Sequence, residues 1–269
     1  MKQTRTVRQS IVVSAVLLSV LFFLPLAVIE PFRAELFGRE TPVEESEPEV
    51  GKLDGEVMLQ VLNERFVSPV PALAQRLELK NGRIAAVLSS RPDAYALERA
   101  AAAGIPGYVV ARKDFPGNRE MTRAIVERLQ RLDIDLVVLA GFLHILTEEM
   151  VAAYPNRILN VHPALIPSFC GTGYYGLRVH ERALAYGVKV TGATVHFVNE
   201  EPDGGPIVLQ RAVDIQEGDT PETLQRRVME QAEWVILPRA VSLFCQDRLV
   251  VKGRTVHILP ACEKEEPLC

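Results

Sequence analysis

The chain has 269 residues, of which 48% are hydrophobic and 24% charged, and its formal net charge at pH 7 is −4. This length allows one large domain or two small ones with a sizeable core, and the lack of a basic excess argues against nucleic acid as the default partner. The four cysteines, Cys170, Cys245, Cys262 and Cys269, show no CxxC pair or metal-ligand spacing, so we interpret them as free thiols, with pairing left open.

The first predicted element is an apolar segment near the amino terminus. Residues 11–29, IVVSAVLLSVLFFLPLAVI, carry no charge and follow a short basic tail, residues 1–10. At about 1.5 Å per residue, such a helix spans roughly 28 Å, close to the thickness of a hydrocarbon core. We therefore predict a transmembrane or signal-anchor helix, with a buried core helix and a cleaved signal peptide as alternatives. The basic tail favours a cytoplasmic amino terminus, which would place the rest of the chain outside the membrane.

The next segments predict a linker and then a folded domain. Residues 30–65 are predicted to form an acidic linker, with one short strand in GEVMLQVLNERF, and residues 66–258 a domain with a tail at 259–269. From Arg83, apolar runs typical of buried strands (RIAAVLSS, GYVV, DLVVLA, ILNVH) alternate with helical patterns (DAYALERAAAAG, NREMTRAIVERLQRL, TEEMVAAY). Asp93 and Thr147 are the expected helix caps. This alternation predicts an α/β fold with a mostly parallel, Rossmann-like sheet flanked by helices.

The pattern changes in the last third of the chain. The alternating run VTGATVHFV turns at PDGG and returns as IVLQRAVDI, which predicts an antiparallel addition to the sheet. Thr220 and Pro221 are a typical helix start, and the helix is expected to run to about Phe244. LVVKGRTVHIL predicts a closing hairpin around Gly253.

Candidate catalytic residues lie where the strand ILNVH ends. Strand alternation places Asn160 and His162 on one face, beyond the carboxyl end of a strand, where open α/β sheets carry their sites. An amide and an imidazole can both donate hydrogen bonds to a developing oxyanion, and the imidazole can also move a proton. A core histidine bonded to a backbone carbonyl is the alternative. Asp203 of the PDGG turn is the candidate carboxylate partner, although spacing alone does not bring an ordinary hairpin turn to His162.

Four segments carry a family resemblance: LVVLAGFLHIL, ILNVHPALIPSF, GYYGLRVHERAL and VTGATVHFVNEEPDGGPIVLQ. Together they resemble the phosphoribosylglycinamide formyltransferases over about residues 83–251. The resemblance implies a formyltransferase fold and transfer of a formyl group from 10-formyltetrahydrofolate to the amine of glycinamide ribonucleotide in purine biosynthesis. It implies these small molecules as partners and implies neither a nucleic acid partner nor a metal. The oligomeric state stays open.

The resemblance also implies roles for the three candidate residues. The substrate amine attacks the formyl carbon directly, and Asn160 and protonated His162 stabilise the oxyanion of the tetrahedral intermediate. Asp203 raises the pKa of His162 and helps to order a proton-carrying water.

Two further sets of residues follow from the resemblance. The folate-binding set is Leu143, His144, Ile145, Glu200, Glu201 and Pro202. The ribonucleotide-binding set is Pro163 and Glu233. Many family members have arginine in place of His144, for which a solvent-facing loop residue is the alternative, as a solvated helix-face charge is for Glu233. We interpret His180 and His196, which lie in family motifs, as structural.

The chain departs from the family at its amino-terminal side. The family begins with a strand and a Gly-Ser-Asn-rich loop whose backbone N–H groups hold the ribonucleotide phosphate. Here no glycine lies between Arg65 and Asn81, and Pro69 and Pro71 lack the N–H group. One interpretation is a frame-shifted stretch joined to an unrelated membrane-anchored leader. We therefore expect weak or no transformylase activity.

Two other functions remain open at this point. One is a folate-dependent formyl hydrolase or a tRNA formyltransferase with the same three catalytic residues. The other is a membrane-tethered, inactive formyltransferase remnant that at most binds folate. The leader implies a membrane anchor, whereas the formyltransferase domain is expected to work in the cytoplasm, where its substrates are found.

Overall fold

The computed structural model describes residues 10–13, 57–61, 82–140 and 147–261. These residues form a ten-stranded mixed sheet with helices on both faces. The strands are β1 (Ser10–Val13), β2 (Val57–Val61), β3 (Arg83–Ser89), β4 (Gly107–Val109), β5 (Leu136–Ala140), β6 (Ile158–His162), β7 (Val190–Phe197), β8 (Ile207–Asp214), β9 (Leu249–Lys252) and β10 (Thr255–Ile258). Their order is β4-β3-β1-β5-β6-β7-β8-β10-β9, and β2 pairs with β5 off this path.

Three of the helices lie where the sequence predicts them, the predicted helix from Thr220 is divided by a π-helical turn, and Leu177–Tyr186 is a helix that was not predicted. The helices are α1 (Tyr95–Ala102), α2 (Asn118–Arg131), α3 (Glu148–Ala153), α4 (Leu177–Tyr186), α5 (Pro221–Val228) and α6 (Trp234–Cys245). A 3₁₀ turn covers Arg112–Asp114, and a π-helical turn, Met229–Glu233, joins α5 to α6. The predicted start at Thr220 is confirmed, since its hydroxyl accepts from the Thr223 N–H and Pro221 is the first helical residue.

The two other predicted caps have different outcomes. Ala94, not Asp93, is the N-cap of α1, because the Asp93 carboxylate pairs with the Arg91 guanidinium at 2.5 Å. Thr147 does stand at the N-cap of α3, but its side chain makes no capping hydrogen bond. These differences leave the helix boundaries close to those predicted, because packing against the sheet stabilises both helices independently of their caps.

The parallel strands β3, β5 and β6 are buried on both faces. Their alternate side chains enter two separate cores. The first core joins Val87, Leu136, Val138, Leu159 and Val161 to α1, α5 and α6. The second joins Ala86, Leu88, Val137, Leu139 and Ile158 to α2 and α3. The predicted parallel sheet between two helical layers is therefore confirmed.

An antiparallel section completes the sheet beyond β6. β7 pairs antiparallel with both β6 and β8, and its register sets His196 opposite Asn160 and Thr194 opposite His162. β9 and β10 form the predicted hairpin, with Gly253 at a φ of 59°, and β10 pairs parallel with β8. The register of β7 brings the polar residues of two strands onto one face of the sheet.

The amino-terminal prediction needs correction. Ser10–Val13, where the membrane helix was expected to begin, is a strand between β3 and β5. The run Ile11–Val13 is β-branched, and a short apolar run suits a buried strand as well as a helix. None of the helices formed by the described residues is long and apolar enough to cross a membrane. The rest of residues 11–29 lies outside the described residues.

Two amino-terminal strands pair with β5. β1 lies beside β5 in the centre of the sheet, and β2, predicted as a short strand, pairs with β5 as well. Ile11 and Val57 are both opposite Leu136, while β6 pairs with the other edge of β5. β1 and β2 therefore pair with the same edge of one strand. Residues 62–81, where the phosphate loop was expected, lie outside the described residues, so the frame-shift interpretation stays a prediction.

Candidate functional site

The turn after β6 is fixed by side chains of β7 and β8. The Thr194 hydroxyl donates to the Ala164 carbonyl at 2.7 Å and accepts from the Ile166 N–H at 3.1 Å. The Gln210 amide donates to both the Thr194 hydroxyl and the Ile166 carbonyl at 3.0 Å. These bonds satisfy the backbone of a buried turn and hold the chain directly after His162.

A close approach of the backbone adds to this fixation. A Cβ atom on Gly192 of β7 would lie 2.0 Å from the Arg211 carbonyl oxygen and 2.9 Å from Leu165 Cδ2. At Gly205 a Cβ atom would lie 1.7 Å from the Phe197 carbonyl oxygen. Glycine at both positions lets β7, β8 and the turn between them come together at the site.

The structure brings the imidazole of His162 to the carboxylate of Asp203. His162 Nδ1 lies 3.5 Å from Asp203 Oδ2, and both side chains are largely shielded from solvent. Asp203 adopts a φ of 55°, a left-handed conformation that aspartate tolerates in turns. The β7–β8 turn thus returns to the end of β6, which spacing along the chain did not establish.

His196 is a site residue that sequence reasoning missed. Its Nε2 lies 3.2 Å from Asn160 Nδ2 and 3.6 Å from Asp203 Oδ1, and its Nδ1 donates to the Phe197 carbonyl at 2.8 Å. Because that carbonyl can only accept, Nδ1 carries the proton and Nε2 accepts from the Asn160 amide. The residue that we interpreted as structural therefore links Asn160 to Asp203. The signal available in the sequence was a polar residue within the apolar run ATVHFV. The β6–β7 register, which places that residue opposite Asn160, could not be inferred from the sequence.

The segment after Pro167 contacts both members of the pair. His162 Nε2 donates to the Phe169 carbonyl at 2.8 Å, and the Gly171 N–H donates to Asp203 Oδ2 at 2.8 Å. The alternative of a histidine bonded to a backbone carbonyl is thus compatible with the predicted catalytic arrangement, because both contacts are present. Both ring nitrogens of His162 have acceptors next to them.

Opposing effects act on the pKa values of this pair. Burial lowers the pKa of His162, while the Asp203 charge and the Phe169 carbonyl act to raise it. The rise expected from Asp203 is present as a contribution, but burial is larger. For Asp203, burial raises the pKa, yet the nearby His196 ring, the His162 charge and the Gly171 N–H together bring it below its ordinary value. The carboxylate is therefore ionised at neutral pH.

A third buried histidine lies near this pair. His180 of α4 is fully buried, and neither of its ring nitrogens has a hydrogen-bond partner. Burial, with a smaller effect from His162, lowers its pKa to about 4. His180 is thus neutral at physiological pH and adds no positive charge next to His162.

The other predicted site residues fall into three groups. Leu143, His144 and Ile145 lie outside the described residues. Pro163 is half-buried directly after β6, while Glu200, Glu201 and Pro202 are exposed on the turn that carries Asp203. Their binding roles stay predictions.

Glu233 is buried, unlike the solvated helix-face charge that was the alternative interpretation. It is only 9% exposed, in the π-helical turn between α5 and α6, and burial raises its pKa to about 8. A solvated helix-face position for Glu233 is therefore wrong. π-helical turns are frequent at functional sites, which is compatible with the predicted role in ribonucleotide binding.

Comparison with known proteins gives consistent matches. The sequence model described as formyl transferase matches residues 63–241. A phosphoribosylglycinamide formyltransferase from Haemophilus influenzae is 44% identical over 176 residues, which are 65% of this chain and 80% of that protein. The crystal structure of glycinamide ribonucleotide transformylase 1 from Symbiobacterium toebii is 44% identical, with a TM-score of 0.66, covering 71% of this chain and 89% of that one. A formyltetrahydrofolate deformylase from Pseudomonas syringae is 26% identical, with a TM-score of 0.61, covering 71% of this chain and 61% of that one.

Proposed function

Because this chain belongs to the formyl transferase family, we propose that it transfers the formyl group of 10-formyltetrahydrofolate to the amine of glycinamide ribonucleotide in purine biosynthesis. The observation that carries the proposal is the 3.5 Å approach of His162 to Asp203, with His196 linking Asp203 to Asn160. The relatives named for this reaction have higher identity to the chain than the deformylase has, 44% against 26%. The transferase is therefore preferred over the hydrolase.

The proposed reaction is a direct displacement at the formyl carbon. The substrate amine forms a C–N bond to that carbon and gives a tetrahedral intermediate with a negatively charged oxygen. The bond from carbon to the folate nitrogen then breaks, and the proton lost by the attacking amine moves to that nitrogen. Bond formation and bond breakage balance without a change in oxidation state. The protein's task is to stabilise the oxyanion and to conduct one proton.

Asn160, His162 and Asp203 divide these tasks. The Asn160 amide uses one N–H on His196, which leaves the second N–H for the oxyanion. Protonated His162 contributes positive charge, and a developing oxyanion favours that protonated form further, because it places a second negative charge beside the ring. Asp203, ionised and next to the ring, orders the water that carries the proton. A buried oxyanion is stabilised more strongly by these groups than one in water.

Substrate binding is proposed to use the two sets of residues that the family resemblance supplies. The folate set is Leu143, His144 and Ile145 with the exposed turn residues Glu200, Glu201 and Pro202. The ribonucleotide set is Pro163 and Glu233. A phosphate loop contributes several charge-assisted hydrogen bonds of about 1.5–3 kcal/mol each, so the altered sequence at residues 66–80 is expected to weaken ribonucleotide binding.

The reaction is proposed to take place in the cytoplasm, where its substrates are found. The membrane anchor suggested by residues 11–29 is left out of the proposal, because Ile11–Val13 pair within the sheet.

An assay with three acceptor conditions tests the proposal. The purified full chain is incubated with 10-formyltetrahydrofolate and glycinamide ribonucleotide, with a methionyl-tRNA, or with water alone. We expect formylated ribonucleotide as the main product, and Asp203→Asn to lower kcat/KM by about 10³-fold. Asp214→Asn, an exposed carboxylate at the end of β8 in the same hairpin, is the matched control and should leave the rate unchanged. Formate as the main product would establish a hydrolase, and folate binding without turnover an inactive remnant.

A further inference from the structure

Three residues between β6 and α4, Phe169–Gly171, bond to both members of the catalytic pair; we call them the bridging loop. His162 Nε2 donates to the Phe169 carbonyl, and the Gly171 N–H donates to Asp203 Oδ2, both at 2.8 Å. The same oxygen of Asp203 lies 3.5 Å from His162 Nδ1. The loop thus closes a ring of contacts that runs from the imidazole through the backbone to the carboxylate and back.

The two bonds favour the same charge state of the pair. A carbonyl only accepts, so it fixes a proton on His162 Nε2, and a second proton on Nδ1 then points at Asp203. An N–H only donates, so Gly171 stabilises the ionised form of Asp203. We infer that the bridging loop is a positioning element, which holds His162 and Asp203 as an oriented imidazolium–carboxylate pair through the Phe169 carbonyl and the Gly171 N–H. The inference rests on the proposed formyl transfer and deepens it.

Aromatic side chains hold the loop in this conformation. Phe169 has a φ of 50°, a left-handed backbone that is unusual for a bulky residue, and Gly171 has a φ of 84°. The Phe169 ring centroid lies 5.9 Å from that of Tyr186, in an edge contact, and 6.3 Å from that of Tyr174. Such ring pairs are favourable beyond the area that they bury. Tyr186, the last residue of α4, therefore anchors the loop from outside although its side chain is 80% exposed.

The other ionisable groups around the pair do not replace the loop. His196 of β7 contacts Asp203 but already donates its Nδ1 proton to the Phe197 carbonyl. His180 of α4 acts on His162 but is neutral, with a pKa of about 4. Burial, and to a smaller extent Asp203, raises the pKa of the Cys170 thiol in the loop itself, so this thiol stays protonated. Loss of the Phe169 carbonyl or of the Gly171 N–H would therefore directly change the pKa values of the pair.

Loosening the loop should change the pH dependence of catalysis in a characteristic way. Without the Phe169 carbonyl, the pKa of His162 falls, so the basic limb of the kcat/KM profile moves to lower pH. Without the Gly171 N–H, the pKa of Asp203 rises, so the acidic limb moves to higher pH. The profile narrows from both sides. A purely structural role would lower its height and leave both limbs in place.

The test compares ring deletions with matched controls in the full chain. Phe169→Ala and Tyr186→Ala remove the anchor, Tyr186→Phe retains the ring, and Tyr175→Ala removes a ring that is 50% exposed on the same stretch of chain. We measure the pH profile of kcat/KM and the side-chain ¹⁵N signals of His162 by NMR. We expect each limb to move inward by about 1 pH unit in both ring deletions. The ¹⁵N signals of His162 should lose the pattern of an imidazolium protonated at both nitrogens at a lower pH than in the parent. Both controls should match the parent.

Two results would overturn the inference. One is a uniform fall in kcat/KM with unmoved limbs, and the other is an unchanged ¹⁵N pattern in both ring deletions. If Phe169→Ala does not fold, the comparison of Tyr186→Ala with Tyr186→Phe still tests whether the ring contact positions the loop. A parent chain without turnover would refute the proposed function, whereas the ¹⁵N pattern would still decide whether the loop orients His162.

Discussion

The two edges of β5 lead into regions that are specified very differently. On one side, β6, β7 and β8 carry polar side chains with defined partners, such as Thr194 and Gln210 on the turn after His162. On the other side, β1 and β2 both pair with β5, and Ile11 and Val57 are opposite the same Leu136. Directional polar contacts allow one register, whereas the runs of β1 and β2 are short and largely apolar in sequence, and such a run specifies its register weakly. Specific side-chain hydrogen bonds, more than apolar pairing, define the half that carries the site.

The largest effect is expected where the well-specified half has no free space. Gly205→Ala would place a Cβ atom 1.7 Å from the Phe197 carbonyl oxygen, so we expect the free energy of unfolding to fall by about 5 kcal/mol. Urea denaturation followed by circular dichroism measures this loss. Gly107→Ala in β4 is the control, because its Cβ would meet only the end of the Leu97 side chain, at 3.0 Å, and should cost less than about 1 kcal/mol. Equal costs at both positions would contradict the difference between the two halves.

A buried acid on the same half should make stability depend on pH. Burial raises the pKa of Glu233 from 4.5 to about 8, so the folded state holds a proton that the unfolded state loses above pH 4.5. Stability is therefore lost as the pH rises from 4.5 to about 8.

Glu233→Gln removes this dependence. The parent loses stability as the pH rises and the variant does not. We therefore expect the free energy of unfolding of the variant minus that of the parent to rise by about 4 kcal/mol from pH 5 to pH 8.5. Urea titrations at the two pH values measure the difference, and Glu230→Gln in the same turn, on an exposed side chain, is the control. A difference that does not change with pH would mean that Glu233 is ionised in the folded chain.

The smallest effect tests the shared edge of β5. Proline removes a backbone donor from a strand, so Val12→Pro disrupts β1 and Leu59→Pro disrupts β2. If either segment can occupy the edge, each single change should cost less than about 1 kcal/mol. The double variant should cost about 2 kcal/mol more than the sum of the two. Additive losses in a double-mutant cycle would show that the segments do not substitute for each other.

The sequence predicted those features that depend on local pattern. Alternation placed Asn160 and His162 on one face, and the capped start at Thr220 and the hairpin around Gly253 were located correctly. Features that depend on contacts distant in the chain were missed. His196 reaches the site only because of the β6–β7 register. The Phe169 carbonyl reaches it only because Phe169 adopts a left-handed backbone, which its residue type does not predict. At Ile11–Val13 the periodicity of a short apolar run did not separate a strand from a helix.

The π-helical turn at Met229–Glu233 sets the rotational phase of α6. Each residue of an α-helix advances the side-chain direction by about 100°, and the wider turn adds one residue to the count. If the same number of residues formed regular α-helix instead, everything that follows would be rotated by about that angle. Leu237 and Val241, now packed in the first core, would turn towards solvent. The wider turn therefore determines which face of the carboxy-terminal helix packs in the first core.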